Sequence, residues 1–177
     1  MYSDYNYYQF DVLSDVKIIE PDVFNDQRGS LYTTFLKKEY ESFLPKNTEF
    51  VHDKFAFSKK NVLRGIHGDY FSWKLVTCVK GKIFQVIVDN RPESKTFFKH
   101  ESIILDSSKP KSVLIPPGFG NAFLVLSSDC VYSYKLAYNG KYRDAQDQFT
   151  LKWNNPEINI NWPLSNPILS KRDSNAK

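Results

Sequence analysis

Apolar residues along this chain recur in short runs with little helical spacing. The runs are Val16–Ile19, Ser30–Phe35, Phe50–Ser58, Asn61–His67, Lys74–Val79, Lys82–Asp89, Phe98–Leu105, Ser112–Ile115, Ala122–Leu126 and Cys130–Ala137. They are rich in Val, Ile, Phe and Tyr, the types that fit a pleated, half-buried surface. Between them stand Asp26–Gly29, Lys80–Gly81, Asn90–Pro92, Ser107–Pro110, Pro116–Gly118 and Asn139–Gly140, where Gly and Asn tolerate positive φ and Pro presets a turn. About ten short strands predict an all-β sandwich or barrel. The one stretch with helical spacing is Leu36 to Leu44, where Leu36, Tyr40, Phe43 and Leu44 share a face. No repeat, low-complexity tract or Gly/Ser linker interrupts the chain, so residues 1–177 are expected to form a single domain, with Ser174–Lys177 as a loose tail.

Alternation sorts some side chains by face. In Cys130–Ala137, Cys130, Tyr132, Tyr134 and Leu136 share one side. If that side faces inward, Tyr134 enters the barrel. In Asn61–His67 the parity groups Leu63, Gly65 and His67, unless Gly65 marks a bulge that resets the register. Periodicity alone fits a core histidine and an aromatic filler as well as it fits a site.

Charge and cysteine content narrow the classes. A net charge of +4 favours an anionic ligand slightly, but the Lys and Arg residues form no stripe, so nucleic acid is not expected. No basic segment followed by an apolar one opens the chain, and no apolar window is long enough to span a membrane. A cytoplasmic protein without membrane contact is expected. Cys78 and Cys130, far apart and outside any Cys-x-x-Cys, read as two free thiols.

Seven segments occur in a telling order: Asp26-Gln-Arg28-Gly29, Val62-Leu-Arg64-Gly65-Ile-His67, Lys74-Leu-Val76, Val88-Asp89-Asn-Arg91, Pro116-Pro-Gly118-Phe119, Trp153-Asn154 and Leu169-Ser170-Lys-Arg-Asp173. Together they resemble the dTDP-4-dehydrorhamnose 3,5-epimerase family from about Val16 to Asp173. The resemblance implies a cupin-type jelly-roll barrel with one or two short helices. It also implies a homodimer acting on a nucleotide-diphosphate sugar without cofactor or metal.

The resemblance also assigns roles. A ketone at C4 acidifies the hydrogens at C3 and C5, so a base on one face and an acid on the other invert those centres. By motif position His67 is the base, and an imidazole, which ordinarily titrates at about 6.5, is a competent acceptor at neutral pH. Asp173 matches its carboxylate partner, Tyr134 the acid across the ring, and Lys74 a cation stabilising negative charge on O4. Arg28 and Arg64 are expected to hold the diphosphate bidentately. Tyr142 matches, across a loop of different length, a residue that lines the sugar.

Metal is a separate question, because cupins often bind it. His67 is followed by Gly68-Asp69, the later turn reads Gly118-Phe-Gly-Asn121, and His52, His67 and His100 are the only histidines. No suitably spaced ligand set results, so a metal-free site is expected.

Departures from the family pattern bear on the substrate. Asn121 stands where the family has histidine, and His52-Asp53-Lys54-Phe55-Ala56 replaces Gln-Asp-Asn-His-Ser. These versions, with Arg-Gly-Ile-His-Gly-Asp, Lys-Leu-Val-Thr-Cys-Val and Tyr-Lys-Leu-Ala-Tyr, are similar to epimerases of GDP-4-keto-heptoses in bacterial capsule synthesis. The expectation is therefore a GDP-4-keto-heptose 3- or 3,5-epimerase, with His52 and Asn121 among the substrate-binding residues. The alternatives are a dTDP-4-keto-6-deoxyglucose 3,5-epimerase, a sugar ketoisomerase of the same fold, or a noncatalytic sugar-binding jelly roll.

Overall fold

Strand runs broken by turn residues fold here as antiparallel pairs, and the side that each strand buries decides which layer it joins. The computed structural model describes residues 5–177. In chain order the elements are β1 (Tyr5–Gln9), β2 (Lys17–Pro21), β3 (Val23–Asp26), β4 (Gly29–Tyr32), α1 (Lys37–Glu41), β5 (Glu49–Lys59), β6 (Leu63–Gly68) and β7 (Trp73–Lys80). They continue with β8 (Lys82–Asp89), β9 (His100–Asp106), β10 (Ser112–Ile115), β11 (Phe119–Val125), β12 (Asp129–Tyr138), β13 (Phe149–Thr150) and α2 (Lys171–Ser174).

Six strands form one sheet in the order β1-β2-β10-β7-β12-β5, and five form the other as β13-β6-β11-β8-β9. From β5 to β8 and from β9 to β12 the chain changes sheet at each step. Two antiparallel sheets wound in this way are a jelly-roll barrel. Between the sheets lies a core that includes Val76, Cys78, Ile83, Ile87, Phe119, Phe123, Val125, Cys130 and Tyr132. The outer face of the first sheet is covered around Tyr40 of α1, packed with Ile19, Leu75 and Leu114. The outer face of the second is covered by Leu151, Ile158, Ile160 and Trp162 from the C-terminal segment, over Ile66, Val86 and Val88. β8 is therefore buried on both sides, which is why it reads as nearly continuous hydrophobic sequence.

Several boundaries differ from the sequence expectation. The run Ser30–Phe35 ends as a strand at Tyr32, because β4 pairs only with β3 and the ladder stops where β3 does. The run Phe98–Leu105 begins at His100, since Phe98 has φ of +61° and its N–H closes a loop onto the Asp89 carbonyl. β1, β13 and α2 carry too few apolar residues to have been expected individually. Asp173, placed by sequence beside a loose tail, lies in α2 and is buried at 2% exposure. Both cysteines are free and buried. Among the described residues no helix is long and apolar enough to cross a membrane.

Candidate active site

The site begins with an irregularity in β6. Against β11, His67 pairs with Asn121 and Arg64 with Phe123, so three steps on β6 oppose two on β11. That extra residue is a bulge. In a regular strand Arg64 and His67 would face opposite ways; here both line one cavity. Gly65 makes this possible, with φ of +129°, and a Cβ there would collide with the Ala122 side chain and the Asn121 carbonyl. Ile66, between them, turns outward into the cluster with Val86, Val88 and Ala122.

The cavity holds about 270 Å³ and opens between the sheets. On one wall His67 Nε2 donates to Asp173 Oδ1 at 2.5 Å. Burial by itself raises the Asp173 carboxyl, but hydrogen bonds from His67, Ser170 and the Gly65 N–H outweigh it and hold the group below the usual carboxylate range. An ionised Asp173 accepts only, so Nε2 carries a ring proton, and the tautomer this selects for a neutral ring leaves the lone pair on Nδ1. Ser170 also accepts from the Asp173 N–H at 3.1 Å, which caps α2 and fixes the carboxylate.

Lys74 enters from β7, with its Nζ donating to the His67 carbonyl at 3.2 Å. Burial pulls its ammonium down to about 8, partly opposed by Asp69 and reinforced by Arg172. Tyr134 reaches in from β12, on the opposite sheet from His67. Half-burial raises its hydroxyl above the ordinary tyrosine value, with Lys54 and Arg64 pulling the other way, so it holds its proton at neutral pH. Arg64 Nε donates to Ser58 Oγ at 2.9 Å at the cavity rim. Tyr142, from the loop after β12, lines the cavity and accepts from Lys54 Nζ at 2.5 Å.

Of the residues expected from sequence, the fold thus brings together His67, Asp173, Lys74, Tyr134, Arg64, Asn121 and Tyr142. Arg28 is not among them. It sits in the β3–β4 turn, 83% exposed and ion-paired with Asp26, on a hairpin that does not line this cavity. His52 is absent as well. It does not line the cavity but backs it, with its ring edge-on to Tyr142 at 4.6 Å. Asp69 does not line the cavity either; its carboxylate caps a turn through the Phe71 and Ser72 N–H groups.

Several cavity residues were not singled out, Lys54, Ser170 and Arg172 among them. Lys54 alternates inward with Ala56 on β5, a parity that was legible in the sequence. Ser170 and Arg172 flank Asp173 in a segment that was noted only for its acid. Arg172 Nε donates to Thr150 Oγ1 at 2.8 Å, while its Nη2 is buried without a partner. Among the described residues no three His, Cys, Asp or Glu side chains converge as a metal-binding group.

A carboxylate-oriented imidazole on one wall, a protonated phenol on the other and a buried ammonium beside the first make a site for moving protons at carbon acids. In a jelly-roll barrel such a set fits a sugar epimerase, and similarity to known proteins assigns the chain to the class of nucleotide-sugar epimerases. The family profile described as dTDP-4-dehydrorhamnose 3,5-epimerase matches residues 11–177. The chain belongs to that family and is a nucleotide-sugar epimerase. It is 40% identical to the dTDP-4-dehydrorhamnose 3,5-epimerase of Shigella flexneri over 93% of this chain and 91% of that one. It is 39% identical to the Escherichia coli enzyme of the same name, over 91% and 88%. Among solved structures, a dTDP-6-deoxy-D-glucose 3,5-epimerase of Legionella pneumophila, in complex with dTDP-4-keto-L-rhamnose, matches with a TM-score of 0.90 at 35% identity, over 98% of this chain and 92% of that one.

Proposed function

We propose that this epimerase inverts C3 and C5 of a nucleotide-linked 4-keto-6-deoxyhexose, with dTDP-4-keto-6-deoxyglucose as the substrate. One observation carries the reading: His67 and Tyr134 approach a single cavity from opposite sheets. His67 Nδ1 takes the proton from the carbon next to the ketone, and the electron pair moves onto O4. Lys74 stabilises the enolate oxygen. Tyr134 returns a proton to the carbon from the other face, inverting it, and the two side chains reset by exchange with water. Arg64 and the orphan Nη2 of Arg172 are suited to the diphosphate.

The names of the relatives support the dTDP sugar over the GDP-4-keto-heptose expected from sequence. A specific observation keeps the second reading: Lys54 and Asn121, both departures from the family pattern, line the cavity itself. Incubation with each keto sugar in deuterated water decides between them. Deuterium is expected at C3 and C5 of the dTDP sugar. Incorporation confined to the GDP-heptose returns the protein to the second reading, and none in either refutes the epimerase assignment of the cavity.

A homodimer is part of this proposal. Val51, Phe55 and Phe57 are exposed on the outer face of edge strand β5, as are Phe24 and Leu31 on the β3–β4 hairpin. Such apolar surface on a sheet edge calls for cover. Arg28, remote from its own cavity, then serves a diphosphate only from the second copy.

A further inference from the structure

Beneath the cavity lies a buried polar layer that the proposed reaction does not use. Gln85 stands on β8 between Ile83 and Ile87 in the row that faces the inter-sheet core, and it is 0% exposed. Its Nε2 lies 3.1 Å from the Val86 carbonyl and 3.0 Å from the Ala122 carbonyl. Two backbone acceptors fix which end of the amide is nitrogen. That nitrogen also reaches Asn121 Oδ1 at 2.6 Å. The other end, Oε1, accepts from the Tyr132 hydroxyl at 2.8 Å. Burial pushes that phenol well above its ordinary value, so it remains a donor.

The consequence falls on Asn121. Its Oδ1 is engaged by Gln85, with the Tyr132 oxygen 3.2 Å away. An amide is planar, so fixing the oxygen toward the core turns the nitrogen away from it. Among the described residues Nδ2 has no protein partner, and Asn121 lines the cavity as the ladder neighbour of His67. From this geometry we infer that Gln85 and Tyr132 are positioning residues that lock the Asn121 amide with its NH₂ toward the cavity, making residue 121 an obligate hydrogen-bond donor to a sugar oxygen beside the base.

The inference rests on the epimerase reading for the identity of the acceptor, though not for the orientation of the amide. An amide does not titrate near neutrality, so this donor keeps its polarity while His67 gains and loses a proton. A flipped amide would instead present a lone pair to a carbonyl or enolate oxygen, which repels it.

Side-chain amide exchange, read by NMR on the ¹⁵N-labelled protein without ligand, tests the orientation. The Gln85 NH₂ is expected to exchange at least about tenfold more slowly than the Asn121 NH₂, since one is buried and the other faces water. Equal protection of the two overturns the inference.

Turnover tests the role. Asn121→Ala and Asn121→Asp are each expected to lower kcat/KM by about 100-fold at pH 8, the usual scale for losing one aligned donor. Gln85→Met is expected to cost about tenfold alone but under about twofold in the Asn121→Ala background, because positioning acts only through its target. Additive losses or unchanged kcat/KM in Asn121→Ala each overturn it. If the unmutated protein turns over neither nucleotide sugar, the substrate reading fails, and amide exchange still decides the inference.

Discussion

Asp173 reaches the imidazole of His67 from 106 positions away, and it does so from a one-turn helix whose cap holds the carboxylate in place. The pair needs both a tautomer and an orientation. His67→Asn is therefore expected to abolish deuterium incorporation while nucleotide affinity, measured by calorimetry, stays within about twofold. Asp173→Asn keeps the shape and loses the charge, and a fall in kcat of about 10³- to 10⁴-fold is expected by analogy with other carboxylate–imidazole pairs. Because the Asp173 pKa is depressed in the fold, its stabilising contribution is present above the ordinary carboxylate value near 3.8 and is lost as pH falls through the lowered one. Incorporation at the unmutated rate in His67→Asn would remove the base.

Lys74 carries the opposite sign. Its ammonium titrates at about 8 in the fold against 10.5 when exposed, so between those values the unfolded chain binds more protons and stability rises with pH. Below pH 8 the buried charge costs on the order of 3 kcal/mol. Lys74→Met is thus expected to raise the midpoint of thermal unfolding at pH 7 while lowering kcat by about 10²-fold or more. In the unmutated protein kcat/KM should decline above pH 8, and Lys74→Arg should push that limb upward. A destabilised Lys74→Met would show that the lysine is needed for packing more than for charge.

Gly65→Ala tests the bulge. A methyl group there meets Ala122 and the Asn121 carbonyl, at a φ that L-residues avoid. We expect destabilisation of about 2–4 kcal/mol, read by denaturant titration. In whatever fraction folds, loss of activity should exceed loss of nucleotide binding, because His67 swings out of line before the rim does. Full activity in Gly65→Ala would show that the register shift is not what aligns His67 with Arg64.

Arg28 yields a complementation test. Arg28→Ala and His67→Asn are each expected to be impaired alone. In a mixed dimer, the subunit that keeps His67 faces a partner that keeps Arg28, so one intact site returns. Mixing and refolding the two variants should recover activity that neither has. No recovery, in a preparation shown by mass spectrometry to contain the mixed dimer, would place Arg28 outside the site.

The strands and their faces were legible because alternation and turn residues are local signals. Parity grouped Tyr134 with Cys130 and Tyr132 without saying which way that face turns; the fold turns it inward, to the cavity. His67 was grouped by parity with Leu63 and Gly65, a prediction that left open whether Gly65 breaks the register; the bulge does break it, and only the pairing with β11 reveals by how much. Arg28 was legible as a motif residue, but a motif gives order along the chain and not which cavity its hairpin serves. Gln85 gave no signal at all, since a single glutamine within an apolar run looks the same whether it is stranded or bonded at both ends of its amide. Asp173 was recovered through family likeness, as its burial depends on a helix of four residues that carries no apolar stripe.

Because His67 and Tyr134 hang from different sheets, the gap between the proposed base and acid is set by the thickness of the barrel, about 10 Å between facing backbones. No loop can lengthen or shorten it. The mouth, by contrast, is built from Tyr142, Asp144, Gln148 and Arg64, most of them on the segment between β12 and β13. A lineage can therefore trade one nucleotide or sugar tail for another at the mouth while the spacing that permits inversion stays constant. That separation is a physical reason for one barrel to serve a whole group of keto sugars, with exposed loops as the part that changes.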